Sequence, residues 1–446
     1  MLQFLPENLN LDEILQNNPP LFKYHRDGFI HILNLLTEIP SKKKDLMDEK
    51  GYVPINAELL KKRVHNYAHY LGYLIDAGVI ETDGFYVRGE KSRGYRFTEK
   101  YQTFVAPAEI QRYTLLKAIN GQSNYDRNMQ AKYNYLYKWM DGLRIDFRAA
   151  KSFLDMQFQQ DKKSNHYKAV RKYNANIATA MYMKENLARF RVDETSGRLH
   201  TYLSCLKKEL RNFVSYDGQP LVSVDIVCSQ PTLTQVLLKS EFYLDIEDKM
   251  GAANIFRIAP GSIKQIPVGE IARLVYSKQD TFVKYREAIQ SDIYNYMRPY
   301  LEAITGHSWS ERRDIKDAMF GILYSDNRFI GQKKAAPKRI FRELFPEVYE
   351  LFALYKKHGS SQLPVLLQKL EVRLVLDRAA KKLSKLLPDI PIYTIHDSII
   401  MPAGNEKIIS TTLQEEAQSA LGITIKTEPE IWVPEFAVKE QSTIAA

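Results

Sequence analysis

The chain has 446 residues, a formal charge of +10, 45% hydrophobic and 26% charged residues, and only two cysteines, Cys205 and Cys228. This composition is that of a globular protein and excludes a disordered chain, a disulfide framework and a cysteine-based zinc site. No apolar run reaches membrane-spanning length and the N-terminus lacks a charged segment followed by an apolar one, so a soluble cytoplasmic protein with no membrane partner is expected; the basic balance suits a polyanionic partner without requiring one.

Residues 1–105 are expected to form one small domain. Apolar spacing predicts helices over 29–36, 55–64 and 66–77, with Gly78 just past the last. Val79-Ile80-Glu81, a Thr-Asp-Gly turn and Phe85-Tyr86-Val87-Arg88 follow. A basic turn over 89–94 then leads into Tyr95-Arg96-Phe97. Helices followed by a hairpin with a basic tip look like a winged helix. That fold would make the 66–77 helix a groove reader and set Lys91 and Arg93 near phosphates. The same fold also serves packing and protein contacts, and both uses stay open at this point. Residues 106–190 read as helical, with Tyr, Asn, Gln and Lys interleaved. That mixture suits tracking along a nucleic acid and equally suits a solvated helix face.

Residues 191–446 carry the candidate chemistry. Thr195–Leu199 reads as a turn and 206–213 as a helix. A strand opens at Gly218 and ends at Asp225. Helices are predicted over 231–239, 279–304, 311–324, 366–387 and 405–421, with a last strand over 423–426. Between the fourth and fifth of these helices lies Ile392–Ile400, in which two β-branched runs flank His396-Asp397-Ser398. The runs read as a hairpin and the triplet as its turn. Strands interspersed with helices, with an antiparallel hairpin, indicate an α+β fold. Asp397 alone is an ordinary turn residue. Paired with Asp225, at the end of another buried strand, it could share two Mg²⁺ ions of the kind used in nucleotidyl transfer.

Four motifs in order give residues 191–446 a resemblance to the palm and fingers of the family A DNA polymerases and the related single-subunit, bacteriophage-type RNA polymerases. The first is Thr195-Ser196-Gly197-Arg198-Leu199, similar to the family A Thr-x-Thr-Gly-Arg-Leu segment. It implies that Arg198 touches the growing strand near its 3′ end. The second, Gly218 through Asp225, looks like the approach to motif A and implies that Asp225 is a metal ligand. Family A then places a Glu that gates against ribose, whereas Gln230 falls there in this chain. An amide can crowd a 2′-hydroxyl or hydrogen-bond to it. Cys228-Ser229 look more like the RNA polymerases.

The third motif is Arg312-x-x-x-Lys316-x-x-x-Phe320-x-x-x-Tyr324, whose four residues share one side of a helix. Its resemblance to motif B implies that Arg312 and Lys316 hold the triphosphate and that Phe320 and Tyr324 flank the sugar and base. The fourth, His396-Asp397-Ser398, is similar to motif C. It implies that Asp397 is the second metal ligand and that His396 lies near the primer terminus. Gln368 occupies a helix where the family places a duplex-contacting Gln.

The resemblance thus implies a right-hand polymerase: a palm with an antiparallel sheet, helical fingers over about 240–345, and a thumb-like helical region over 106–190 after the winged-helix-like domain. Asp225, Asp397 and Lys316 would be catalytic. The cofactor would be two Mg²⁺ ions, with Mn²⁺ as a substitute. The partners would be a nucleic-acid template, a growing strand, and dNTPs or NTPs. No acidic cluster for a proofreading exonuclease precedes the palm. Gly197-Arg198-Leu199 and Phe320 favour a DNA product; Cys228-Ser229, Gln230 and Ser398 favour an RNA polymerase or a primase-like enzyme. A replication initiator that binds DNA through a degenerate palm is the rival from another class. By analogy the setting is a bacterial or phage-infected cell.

Overall fold

A computed structural model describes residues 1–43, 46–87, 91–186, 189–243, 266–306 and 308–434. The tip residues 88–90 of the expected wing and the 244–265 stretch of the expected fingers lie outside the described residues. The chain divides into two compact units. One comprises Met1–Arg191, His200–Gln219 and the residues from Trp432 onward; the other comprises Val192–Leu199 and Pro220–Ile431.

The first unit is built on the helix Arg26–Lys42. Its residues Phe29, Ile30, Ile32, Leu33 and Leu35 are all buried. Apolar residues on every side mark a helix that is covered on every side. The helices Tyr67–Asp76 and His166–Lys184 and the strand Leu2–Pro6 supply that cover. Ala57–Arg63 starts at Asn56, whose side chain accepts hydrogen bonds from the backbone N–H groups of Glu58 and Leu59. Val53–Pro54, Gly94–Phe97 and Ile80–Thr82 form a three-stranded antiparallel sheet in that order. The strand expected over 85–88 is reduced to a single bridge between Val87 and Lys91. Asp83 explains this: its carboxylate accepts from Phe85 N–H at 3.1 Å, from Gly94 N–H at 2.9 Å and from Lys91 at 3.2 Å, and so ties the segment into a loop.

The second unit contains a mixed arrangement of helices around four antiparallel strands. Gln219–Ile226 runs between Thr427–Ile431 and Ser398–Pro402, and Tyr393–Ile395 pairs on the outside of Ser398–Pro402. The last strand is therefore not 423–426. Ile423 and Ile425 are buried outside any strand, whereas Thr427-Glu428-Pro429-Glu430-Ile431 supplies the edge. A proline and two glutamates suit an edge strand, where few ladder bonds are demanded.

A long helical run crosses the hairpin strands: Gln362–Val372, a widened π turn over Arg373–Ala380, then Lys381–Leu386. The helix predicted over 279–304 is broken. Val283–Ser291 and Ile293–Thr305 meet at Asp292, where φ is +111°. Asp292 then caps the second helix, accepting from Tyr294 N–H at 3.0 Å.

Candidate active site

Leu221, Val222 and Val224 are fully buried, which fixes the register of their strand. That register pairs Val224 with Ile399 and Asp225 with Ser398. Ile395 also pairs with Ser398, so His396 and Asp397 make the two-residue turn of the hairpin. His396 takes φ +54°, a conformation that costs a non-glycine residue roughly 1–2 kcal/mol. Cys228 and Asp292 also have positive φ, at +50° and +111°. Held backbone strain of this kind collects where function constrains geometry.

Asp397 is thus next in sequence to the cross-strand partner of Asp225, and the Ile226 N–H donates to the Asp397 carbonyl at 3.4 Å. The Asp225 Oδ1 is buried and accepts no hydrogen bond. The Asp397 carboxyl is pushed up to about 7, first by burial and then by the negative charges of Glu371 and Asp225; the Lys316 ammonium opposes the rise. Both observations describe a site short of positive charge.

The donor set fits a hard divalent cation. Two carboxylates, one with an orphaned buried oxygen, suit Mg²⁺, which keeps several waters and takes phosphate oxygens alongside one or two carboxylates. Among the described residues no three His, Cys, Asp or Glu side chains gather into a closed metal cage. The pair would therefore form an open site, and Mn²⁺ accepts the same oxygen donors.

The helix Arg312–Tyr324 buries Ile315, Met319, Ile322 and Leu323. Lys316, Phe320 and Tyr324 lie on a different side, as their four-residue spacing requires. The Phe320 and Tyr324 rings stack at 5.2 Å, and Lys316 Nζ sits 5.5 Å from the Phe320 centroid. The Tyr324 hydroxyl donates to Gln230 Oε1 at 3.0 Å, and Gln230 Nε2 donates to Glu371 Oε2 at 2.5 Å. Glu371 also accepts a two-pronged bond from Arg198, Nε to Oε1 and Nη2 to Oε2, both at 2.9 Å. Four distant segments thereby meet in one network. Burial pushes the Glu371 carboxyl up, and the Arg198 guanidinium and the Gln230 amide oppose that rise. Burial likewise raises the Tyr324 phenol, as do the negative charges of Glu371 and Asp397.

Arg312 stands apart from this group. Its guanidinium donates to Asp292 Oδ2 at 2.6 Å and to Cys228 Sγ at 3.4 Å, and lies 5.0 Å from the Tyr294 centroid. Burial alone would raise the Asp292 carboxyl, but the bond and charge of Arg312 outweigh it and hold it low. The Cys228 thiol is pushed up to about 12 by burial and by Asp292. To bind a phosphate, Arg312 must use its half-exposed remaining donors or leave Asp292.

Gln368 is half-buried on its helix, three residues before Glu371. Lys91 and Arg93 belong to the other unit, where Lys91 pairs with Asp83. Two further lysines come to light at the end of the Tyr324 helix. Lys356 Nζ donates to the Ile322 carbonyl at 2.9 Å; Lys338 Nζ donates to the Ser325 carbonyl at 2.8 Å and its hydroxyl at 2.9 Å. Both are buried, and both cap carbonyls that a helix end leaves open. Glu371 has a sequence signal, since an acid inside the apolar run Leu366–Leu376 needs a buried cation. Asp292, Lys338 and Lys356 have none.

No protein-family model and no curated protein matches this sequence. Among solved structures, the POL domain of Pol1 from M. smegmatis, in complex with a DNA primer-template and dNTP, is similar at 11% identity and a TM-score of 0.34. The match covers 64% of this chain and 56% of that one. So distant a likeness carries no weight for function, which rests on the side chains described above.

Proposed function

We propose that the chain is a template-directed nucleic-acid polymerase that adds nucleotides to a 3′-hydroxyl, with dNTPs favoured over NTPs as substrates. The observation that carries this reading is the Asp225–Asp397 pair: one buried oxygen without a partner, one carboxyl pushed up to about 7, and Lys316 as the nearby cation. Asp225 and Asp397 would hold the Mg²⁺ ions. Bound there, the ions supply the means to acidify the 3′-hydroxyl and to neutralise the leaving pyrophosphate.

The chain's own residues do the rest. Lys316 meets the phosphates and can give a proton to the departing oxygen. Phe320 and Tyr324, stacked on one another, offer a flat wall to the incoming base and sugar. Gln230 is held between Tyr324 and Glu371 with its carbonyl toward the phenol, so an additional sugar hydroxyl meets a fixed amide. Arg198 keeps its Nη1 donors for a strand edge while Glu371 occupies the others. The N-terminal part, with its winged-helix-like order of helices and sheet, contacts the nucleic acid through a surface that includes Lys91 and Arg93.

The test is incorporation of labelled nucleotides with Mg²⁺ on a single-stranded template, with and without an annealed primer, with dNTPs and NTPs in separate tubes. Primer extension with dNTPs is the expected result. Products from NTPs alone would make the enzyme an RNA polymerase or primase. Silence in every tube with template still bound would overturn the catalytic reading in favour of a binding protein.

A further inference from the structure

The helix Tyr67–Asp76 is the element expected to read a duplex groove, and its surface is poorly made for that task. Its exposed positions are Ala68, His69, Ile75 and Asp76, with Gly72 half-exposed between them. Base edges in a major groove are read by Arg, Lys, Asn and Gln. Of the expected 66–77 segment only Asn66, the exposed N-cap, is of this kind; none stands on the helix itself, and its His69 ring leans on Phe22 at 5.4 Å.

Beside the helix is a cleft of about 410 Å³, within the range of small-ligand clefts. Tyr67, Gly72, Tyr86, Arg93 and Tyr95 are among the residues that line it. Tyr86 is 59% exposed, and its neighbour Phe85 is 58% exposed with Lys91 Nζ 5.1 Å from its ring centroid. Arg93 lines the cleft together with Tyr95 and is exposed, which leaves guanidinium donors for a phosphate. Among the described residues near the lining in sequence, Lys61 and Lys62 are also exposed, against the exposed acids Glu58 and Asp76. Lys91 and Asp83 pair with one another and cancel, and Asp83 also accepts from two backbone N–H groups. Flat aromatic walls, an apolar floor and a cationic rim match a stacked base joined to a phosphate backbone.

We propose that this cleft receives an unpaired nucleobase of a single-stranded nucleic acid, and that the unit thereby holds unpaired strand in preference to duplex. The inference rests on the reading that the chain works on a nucleic-acid strand, but not on its being catalytic.

Gly72 provides a clean probe. A Cβ added there meets no atom within 4 Å, and φ at that position is not positive, so Gly72→Leu fills the cleft without disturbing the helix. The full chain, as wild type, Gly72→Leu and Tyr86→Ala, is titrated with a fluorescent oligo-dT strand and with a hairpin duplex of similar length. The expected result is about tenfold weaker single-strand binding by each variant, the loss of one stacked base, with duplex binding within twofold of wild type. Photocrosslinking of an oligo-dT strand carrying 5-iododeoxyuridine should map to Tyr67 or Tyr86 in the wild type and vanish in Gly72→Leu.

Unchanged single-strand binding in both variants, with no crosslink at those tyrosines, would overturn the proposal. So would an equal loss of duplex binding, which would make the face a groove reader. Loss of self-association with nucleic-acid binding intact would assign the cleft to a second copy of the chain and overturn it too. Nucleotide incorporation by the same proteins separates the two readings: a wild type that binds through the cleft but incorporates nothing sinks only the catalytic one.

Discussion

Replacing Asp397 with Asn should make the metal-free protein more stable at pH 8. The folded chain holds the Asp397 carboxyl at about 7, against 3.8 for an unperturbed aspartate. Between those two values the folded state keeps a proton that the unfolded state has released. Stability therefore falls as pH rises from about 4 to about 7, and the loss stays constant above that. Three pH units at 1.36 kcal/mol each set a ceiling of about 4 kcal/mol. Partial hydration of the half-buried carboxylate reduces this to about 2 kcal/mol. In a folding unit of roughly 200 residues that is about 4–8 °C of melting temperature. The assay is thermal unfolding of wild type and Asp397→Asn in EDTA at pH 8 and pH 5. Asn should melt higher at pH 8, and the gap should shrink to roughly a third at pH 5, where the folded aspartate is neutral while the unfolded one is still ionised. Mg²⁺ should then raise the wild type and leave the variant unmoved. A variant that melts below wild type at pH 8 in EDTA, or a gap of equal size at pH 5, would refute this electrostatic account.

Glu371→Gln leaves Arg198 without its counter-charge and should cost about 3 kcal/mol of stability in urea unfolding, the usual loss on breaking a buried ion pair. The same change frees the Gln230 amide, so the preference between dNTPs and NTPs should weaken in competition assays; an unaltered preference would remove the network from sugar choice. Lys316→Ala should slow incorporation by about 10²–10⁴-fold in single-turnover measurements while template binding stays within a few-fold. Burial, and then the Lys338 charge, pull the Lys356 amine down to about 7 from 10.5. Because the unfolded chain binds the extra proton between those values, wild-type stability should rise with pH from 7 to 10.5, and Lys356→Met should flatten that rise in denaturant midpoints at pH 7 and pH 9.5.

The paired aspartates are legible in the sequence because a two-residue period leaves little freedom: burying Val222 and Val224, and Ile399 with its neighbours, forces the register that sets Asp225 opposite Ser398. The side of the helix carrying Lys316, Phe320 and Tyr324 is legible for the same reason at a spacing of four. What the sequence conceals is pairing across long separations. Arg312 shares that spacing, yet a carboxylate twenty residues earlier holds it. Asp292 sits within what reads as one uninterrupted helix, and no glycine or proline marks its φ of +111°. The final strand is hidden by Pro429 and two glutamates, while Ile423 and Ile425 alternate like a strand and pack as a loop. Lys338 and Lys356 look like surface lysines until the tertiary fold buries them against the Tyr324 helix.

The measurement that bears most directly on the central claim is single-nucleotide extension of a labelled primer on its template with Mg²⁺, comparing wild type with Asp225→Asn and Asp397→Asn and following template binding in parallel. Extension by wild type alone is expected, with all three proteins binding the template about equally. Extension by either variant at the wild-type rate would contradict it.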